Sequence, residues 1–139
     1  MIPQADIIKY IPQRHPFVMV DTILQADAKV SKTSLEIRED NLFVVNGHFT
    51  EPGLVENMAQ TAAAGTGYRY QQKGEVVPVG FIGAIKNLKI YSLPETGDVL
   101  FTEIVITHTV LSVHVVEANV YVGDTKVASC EMKIFEQAK

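Results

Sequence analysis

Four residues in the stretch 46–60 have the chemistry for acid–base work: His48, Gly53, Glu56 and Gln60. His48 follows an Asn-Gly pair, so its imidazole is presented from a turn, and an imidazole can take or give a proton near neutrality. Glu56 and Gln60 are four residues apart and share one face of a helix otherwise composed of Leu54, Val55, Met58, Ala59, Ala62, Ala63 and Ala64. A bare carboxylate on so apolar a helix is costly to bury. It is either protonated, or hydrogen-bonded by Gln60 and the helix amino terminus, or turned into a cavity. An ordinary first-turn acid facing the helix dipole has the same sequence signature. Gly53 offers a free backbone N–H at the positive end of that dipole, which suits a carbonyl oxygen gathering negative charge. Together these groups suit removal of a proton next to a carbonyl. Eight residues separate His48 from Glu56, too many for one helix face, so their contact requires a fold-back or a second subunit.

The element that must carry the acid is the clearest in the chain. Residues 53–73 predict a helix: Pro52 suits its first turn, no proline interrupts it, and Gly74 stands where a carboxy-terminal cap belongs. It is apolar on nearly every side and should be buried, with small residues at 62–67 that let a sheet approach its axis. Before it, Ile7, Ile8 and Ile11 predict a short amphipathic helix over 5–11 that Pro12 ends, and 17–20 form a buried apolar run. Residues 22–38 predict one or two strands. After Gly74 the chain turns to β: strand material over 76–91, a turn at 94–98, long strands over 99–108 and 113–122, a hairpin at 123–125 and a last strand over 127–135. In 113–122, His114, Val116, Ala118, Val120 and Val122 share a face. The expected fold is α+β, one domain over 1–139, with an antiparallel sheet curled around the long helix.

Composition removes several alternatives. Sixteen acidic against twelve basic residues, with the bases scattered, argue against nucleic acid as partner. No apolar run reaches the roughly 18 residues of a membrane span, and the amino terminus does not read as a secretion signal, so a cytoplasmic location is expected. Cys130, the single cysteine, reads as a buried free thiol. His108 and His114 lie in strand sequence without nearby acids or cysteines at metal-ligand spacing, and there is no nucleophile elbow, phosphate loop or dinucleotide fingerprint.

Residues 12–21 (PQRHPFVMVD), Gly47-His48-Phe49, the run from Glu56 to Gln60 (ENMAQ), and Pro94 with Gly97-Asp98 together resemble, in order, the signatures of hot-dog-fold β-hydroxyacyl-acyl-carrier-protein dehydratases. The resemblance implies a hot-dog fold working as a dimer or a trimer of dimers, with the catalytic histidine and acid supplied by different subunits. By motif position, His48 resembles the base that takes the α-proton of a 3-hydroxyacyl thioester. Glu56 resembles the acid that handles the β-hydroxyl, Gln60 the residue that orients it, and the Gly53 N–H the donor to the thioester carbonyl. No metal or dissociable cofactor is implied. The acyl group would arrive on the phosphopantetheine of acyl carrier protein, with Arg14, Arg69, Lys86 and Lys89 as docking candidates. The segment between His48 and Glu56 is several residues shorter than in housekeeping fatty-acid enzymes and lacks a second proline, with Thr50 directly after Phe49. In this it is similar to predicted dehydratases of specialised, polyene-type acyl synthesis. A hot-dog thioesterase, using the helix carboxylate to activate water, and a non-catalytic carrier-binding subunit paired with a second hot-dog chain are the alternative readings.

Overall fold

The computed structural model describes residues 2–137. A single turn of 3-10 helix at Ile7–Lys9 is followed by strands β1 (Thr22–Ala26) and β2 (Val30–Glu36), then a minimal hairpin of β3 (Val44–Val45) and β4 (His48–Phe49). Helix α1 (Glu51–Gln72) comes next, and β5 (Val79–Ile90), β6 (Val99–Val110), β7 (Val113–Val122) and β8 (Thr125–Gln137) complete the chain. Six strands form one antiparallel sheet in the order β1-β2-β6-β7-β8-β5.

The long helix forms as its sequence predicts, two residues earlier than expected at its start. Gly74, at φ +70°, closes it: the Gly74 N–H donates to the Gln71 carbonyl and the Glu75 N–H to the Tyr70 carbonyl, satisfying two terminal acceptors. The sheet wraps α1. Leu54 and Met58 of the helix pack with Phe49 and Met19 against Leu35, Leu100, Ile104, Val116, Ala118, Val120, Cys130 and Met132 of the sheet. Close approach depends on the small residues. A Cβ on Gly65 would lie 1.8 Å from Ser31 Oγ of β2, and one on Gly67 would lie 2.2 Å from the Tyr10 carbonyl oxygen.

The expected amphipathic helix over 5–11 is only the 3-10 turn. Ile7 and Ile11 are buried against Val18, Val20, Ile23, Ala64 and Tyr68, while Ile8 is exposed, so this packing needs two anchors and no continuous apolar stripe. Residues 17–20 are buried from Val18 onward and lie in no strand; side chains of α1 bond the Phe17 carbonyl and both the N–H and the carbonyl of Met19. At the opposite edge of the sheet β5 has, among the described residues, no partner on one side. It is twelve residues long, and Val79, Phe81, Ile82, Ile85 and Leu88 are all exposed. No helix among the described residues is long and apolar enough to cross a membrane.

Candidate active site

Glu56 and Gln60 project from the first half of α1, and the structure joins them. Gln60 Nε2 donates to Glu56 Oε2 at 2.7 Å and to the Phe17 carbonyl at 2.9 Å, and Gln60 Oε1 accepts from the Met19 N–H at 2.7 Å. Gln60 is fully buried, and every hydrogen-bonding atom of its carboxamide is engaged. It therefore fixes Glu56 and ties the 17–19 segment to the helix. Asn57 repeats the device: its Nδ2 donates to the Met19 carbonyl, and its Oδ1 accepts from Thr102 Oγ1 of β6.

Gly53 departs from expectation. Its N–H is not free but donates to the Thr50 carbonyl at 3.0 Å, because the first turn tightens back onto its own N-cap residue. The position requires glycine for space: a Cβ would lie 2.5 Å from the Phe49 ring and 2.8 Å from Phe43 Cβ.

His48 stands on β4, directly after the two-residue turn Asn46-Gly47, whose φ angles of +51° and +76° are those of a type I′ hairpin. The hairpin is pinned to the 94–98 turn by Phe49 N–H to the Pro94 carbonyl, 2.8 Å, and Thr96 N–H to the Gly47 carbonyl, 2.9 Å. His48 Nδ1 lies 3.1 Å from the Asn46 carbonyl oxygen. A carbonyl only accepts, so this bond requires a proton on Nδ1 and leaves the Nε2 lone pair of the neutral ring able to take one. Nε2 points outward, 4.0 Å from Glu95 Oε1, and the His48 side chain is 48% exposed.

A cavity of about 640 Å³ runs beside α1. Its walls are residues 8–14, the helix face of Glu56, Ala59, Ala63 and Thr66, the start of β5, and Ile134 and Glu136 of β8. Glu56 lines it; His48 does not. Within one chain the structure brings Glu56 and Gln60 together and leaves His48 outside, as their spacing predicts. Among the described residues no group of three or more His, Cys, Asp and Glu side chains is placed to hold a metal ion.

The basic residues sort into two kinds. Arg69 is not a docking cation: it turns inward, donating to the Asp27 carbonyl, Ser31 Oγ and Thr66 Oγ1, and burial depresses its guanidinium against the opposing pull of Glu136 and Asp27. The glycine at 65 opens the space for that contact with Ser31. Arg14 lines the cavity and donates to the Ile11 and Gln13 carbonyls, and Lys86 and Lys89 are exposed on β5. Sequence reasoning missed Asn57, Gln13 and Glu136. It also set His114 apart from any acid, whereas the β7–β8 register places His114 Nε2 3.1 Å from Glu136 Oε1. Of these only Asn57 carried a signal, as a polar residue inside a helix stretch that is otherwise apolar.

The sequence matches the ApeP-like family, described as ApeP dehydratase, over residues 5–139. It is 32% identical over 133 residues to the 3-hydroxyacyl-[acyl-carrier-protein] dehydratase FabZ of Wolbachia sp. subsp. Brugia malayi, covering 89% of each chain. It is 28% identical to FabZ of Clostridium kluyveri, covering 91% of this chain and 90% of that one. The fold superposes on a chain of the dehydratase heterocomplex ApeI:P from Xenorhabdus doucetiae with a TM-score of 0.88 at 15% identity, covering 100% of this chain and 93% of that one. With its hot-dog architecture, and with sequence similarity running through both the histidine hairpin and the helix acid, the chain belongs to the ApeP-like family of dehydratases.

Proposed function

We propose that the protein eliminates water from a 3-hydroxyacyl thioester carried on the phosphopantetheine of acyl carrier protein, giving the trans-2-enoyl thioester. The observation that carries this reading is Glu56, held by Gln60 on the wall of a cavity large enough for an acyl chain. His48 Nε2 takes the proton from C2, the C3–O bond breaks, and Glu56, protonated on the oxygen not bonded to Gln60, gives its proton to the departing hydroxyl, which leaves as water. The proton on His48 then returns to Glu56 through water to reset the site. These steps use protein side chains alone. Polarisation of the thioester carbonyl by Gly53 requires its N–H to leave the Thr50 carbonyl when substrate binds.

The site is completed by a partner. A long, apolar, unpaired edge strand is a template for a further strand, and β5 supplies it beside the cavity through Val79, Gly80, Phe81 and Ile82. A chain paired there in two-fold fashion closes the cavity and offers its own His48 to this Glu56, with a reciprocal site on the other side. The partner is a second copy, assembling further into a trimer of dimers, or a second hot-dog subunit of the kind implied by the ApeI:P heterocomplex. Arg14, Lys86 and Lys89 are the proposed contacts for the acidic carrier. Incubation with 3-hydroxyacyl carrier protein tests the reading: enoyl thioester should accumulate with no release of free thiol. Thiol release would assign a thioesterase, and turnover only after addition of a second hot-dog chain would assign the heteromeric form.

A further inference from the structure

Two buried side chains that do not line the cavity are wired to the acid that does. Asn57 and Thr102 are 1% and 2% exposed, and neither belongs to the cavity wall. Asn57 lies three residues before Gln60, on the same side of α1, and the two carboxamides bond both polar backbone groups of Met19. Asn57 Nδ2 donates to the Met19 carbonyl at 2.8 Å, and the Met19 N–H donates to Gln60 Oε1 at 2.7 Å. Each of these bonds has one possible sense, because a carbonyl only accepts and a backbone N–H only donates. Met19 therefore takes the amide nitrogen of Asn57 and the amide oxygen of Gln60. That leaves Asn57 Oδ1 for Thr102, whose Oγ1 donates to it, and Gln60 Nε2 for the Phe17 carbonyl and Glu56 Oε2. A relay of fixed donors and acceptors runs from β6 through the helix and the 17–19 segment to Glu56. At its end Oε2 is the accepting oxygen, and Oε1 is the one left to carry a proton.

Packing alone does not call for this arrangement. A hydroxyl and a carboxamide in contact inside a core can be replaced by apolar groups of the same shape at little net cost. What an apolar pair cannot do is hold the Met19 segment, and with it the Gln60 carboxamide, in one orientation. We propose that Asn57 and Thr102 are positioning residues for the dehydration: acting through Met19 and Gln60, they fix which Glu56 oxygen accepts from Gln60 and so which one carries the proton given to the leaving hydroxyl. This rests on the dehydratase reading above and adds two residues to its machinery. Neither touches the substrate. Turnover of the Gln60 carboxamide would present its oxygen to Glu56 and to the Phe17 carbonyl, and the acid would lose both its brace and its aim.

The test separates aim from stability. Asn57→Ala should lower kcat for dehydration by about tenfold or more with KM within about twofold of wild type, since a small misplacement of a catalytic group costs turnover before it costs binding. Thr102→Val, which removes only the hydroxyl, should lower kcat by a smaller factor, and Thr102→Ser, which keeps the donor, should hold it near wild type. Val116→Ala, a cavity in the core outside the relay, supplies a loss of stability without a loss of aim and should leave kcat unchanged. In a Gln60→Ala background Asn57→Ala should lower kcat no further, because residues that act in series do not multiply. A kcat in Asn57→Ala as high as in Val116→Ala, or a loss that multiplies with that of Gln60→Ala, overturns the proposal and leaves the dehydratase reading intact. If Asn57→Ala does not fold, Thr102→Val against Thr102→Ser decides, and equal kcat values in the two overturn it. Should the wild-type protein, alone or with its partner chain, dehydrate nothing, that reading fails instead. Hydrogen exchange of the Gln60 side-chain amide, followed by NMR, then carries the test: faster exchange in Thr102→Val than in Val116→Ala sustains the relay, and equal rates overturn it.

Discussion

The two ends of the stretch 46–60 are built to opposite standards. At the helix end, Glu56 is fixed by a carboxamide that is itself fully buried and bonded on every polar atom, against a segment tied down again by Asn57. At the hairpin end, His48 is held by its backbone and one carbonyl, with its reactive nitrogen turned to solvent. A proton-transfer group has to be held in position relative to its substrate. One end is therefore complete within the chain, while the other has its tautomer set but its surroundings still to be supplied. On the proposed reading, a single chain holds two half-sites.

Substitutions at the two ends should separate accordingly. The largest effect is on chemistry: His48→Ala and Glu56→Gln should each lower dehydration by about 10²–10⁴-fold, the range for a lost acid or base, with unfolding transitions near wild type. Full activity in either would remove that residue from the mechanism. At the helix end, Gln60→Ala should destabilise as well as slow the enzyme. It orphans the buried Met19 N–H at about 1–3 kcal/mol and frees the part-buried Phe17 carbonyl, which water can reach at smaller cost, read as a shift in the urea midpoint with unchanged slope. Gly53→Ala, driving a methyl into Phe49 and Phe43, should cost about 1–3 kcal/mol by the same measurement. At the hairpin end, Glu95→Gln should change stability by less than about 0.5 kcal/mol, because its 4.0 Å pairing with His48 is exposed. A large loss there would mean that the hairpin is as tightly determined as the helix.

The core behind the helix end gives a pH signature of its own. Burial pushes the Cys130 thiol up to about 11 from its ordinary 9.0, so the folded state favours the neutral thiol. Its contribution is fully present below pH 9 and is lost as pH rises towards about 11, while the unfolded chain ionises first. Cys130→Ala should flatten the alkaline limb of the stability curve, and an unchanged slope would assign that limb to other groups.

Much of this could be read in sequence because it is local. The helix announced itself by Pro52, Gly74 and an uninterrupted apolar run, and β7 by alternation that buries Val116, Ala118 and Val120. The separation of His48 from Glu56 was legible as simple helix arithmetic. What was not legible depends on register and on close approach. Glu136 reaches His114 only because β7 and β8 pair as they do, and Arg69 turns inward only because Gly65 lets β2 come near. The Gly53 N–H was misjudged because sequence does not reveal whether a first turn tightens onto its cap. The 3-10 turn at Ile7–Lys9 was overextended into a helix because two anchoring isoleucines at helical spacing look like a stripe.

On the proposed reading each working site takes His48 from one chain and Glu56 from another. Co-expressing His48→Ala with Glu56→Gln and assaying the mixed assembly tests it most directly. Each mixed two-fold dimer regains one intact site, so random pairing should return roughly a quarter of wild-type dehydration from two inactive parents. Activity no higher than that of the parents, with mixed assemblies demonstrably present, would place both groups in one chain's site and rule out the shared arrangement.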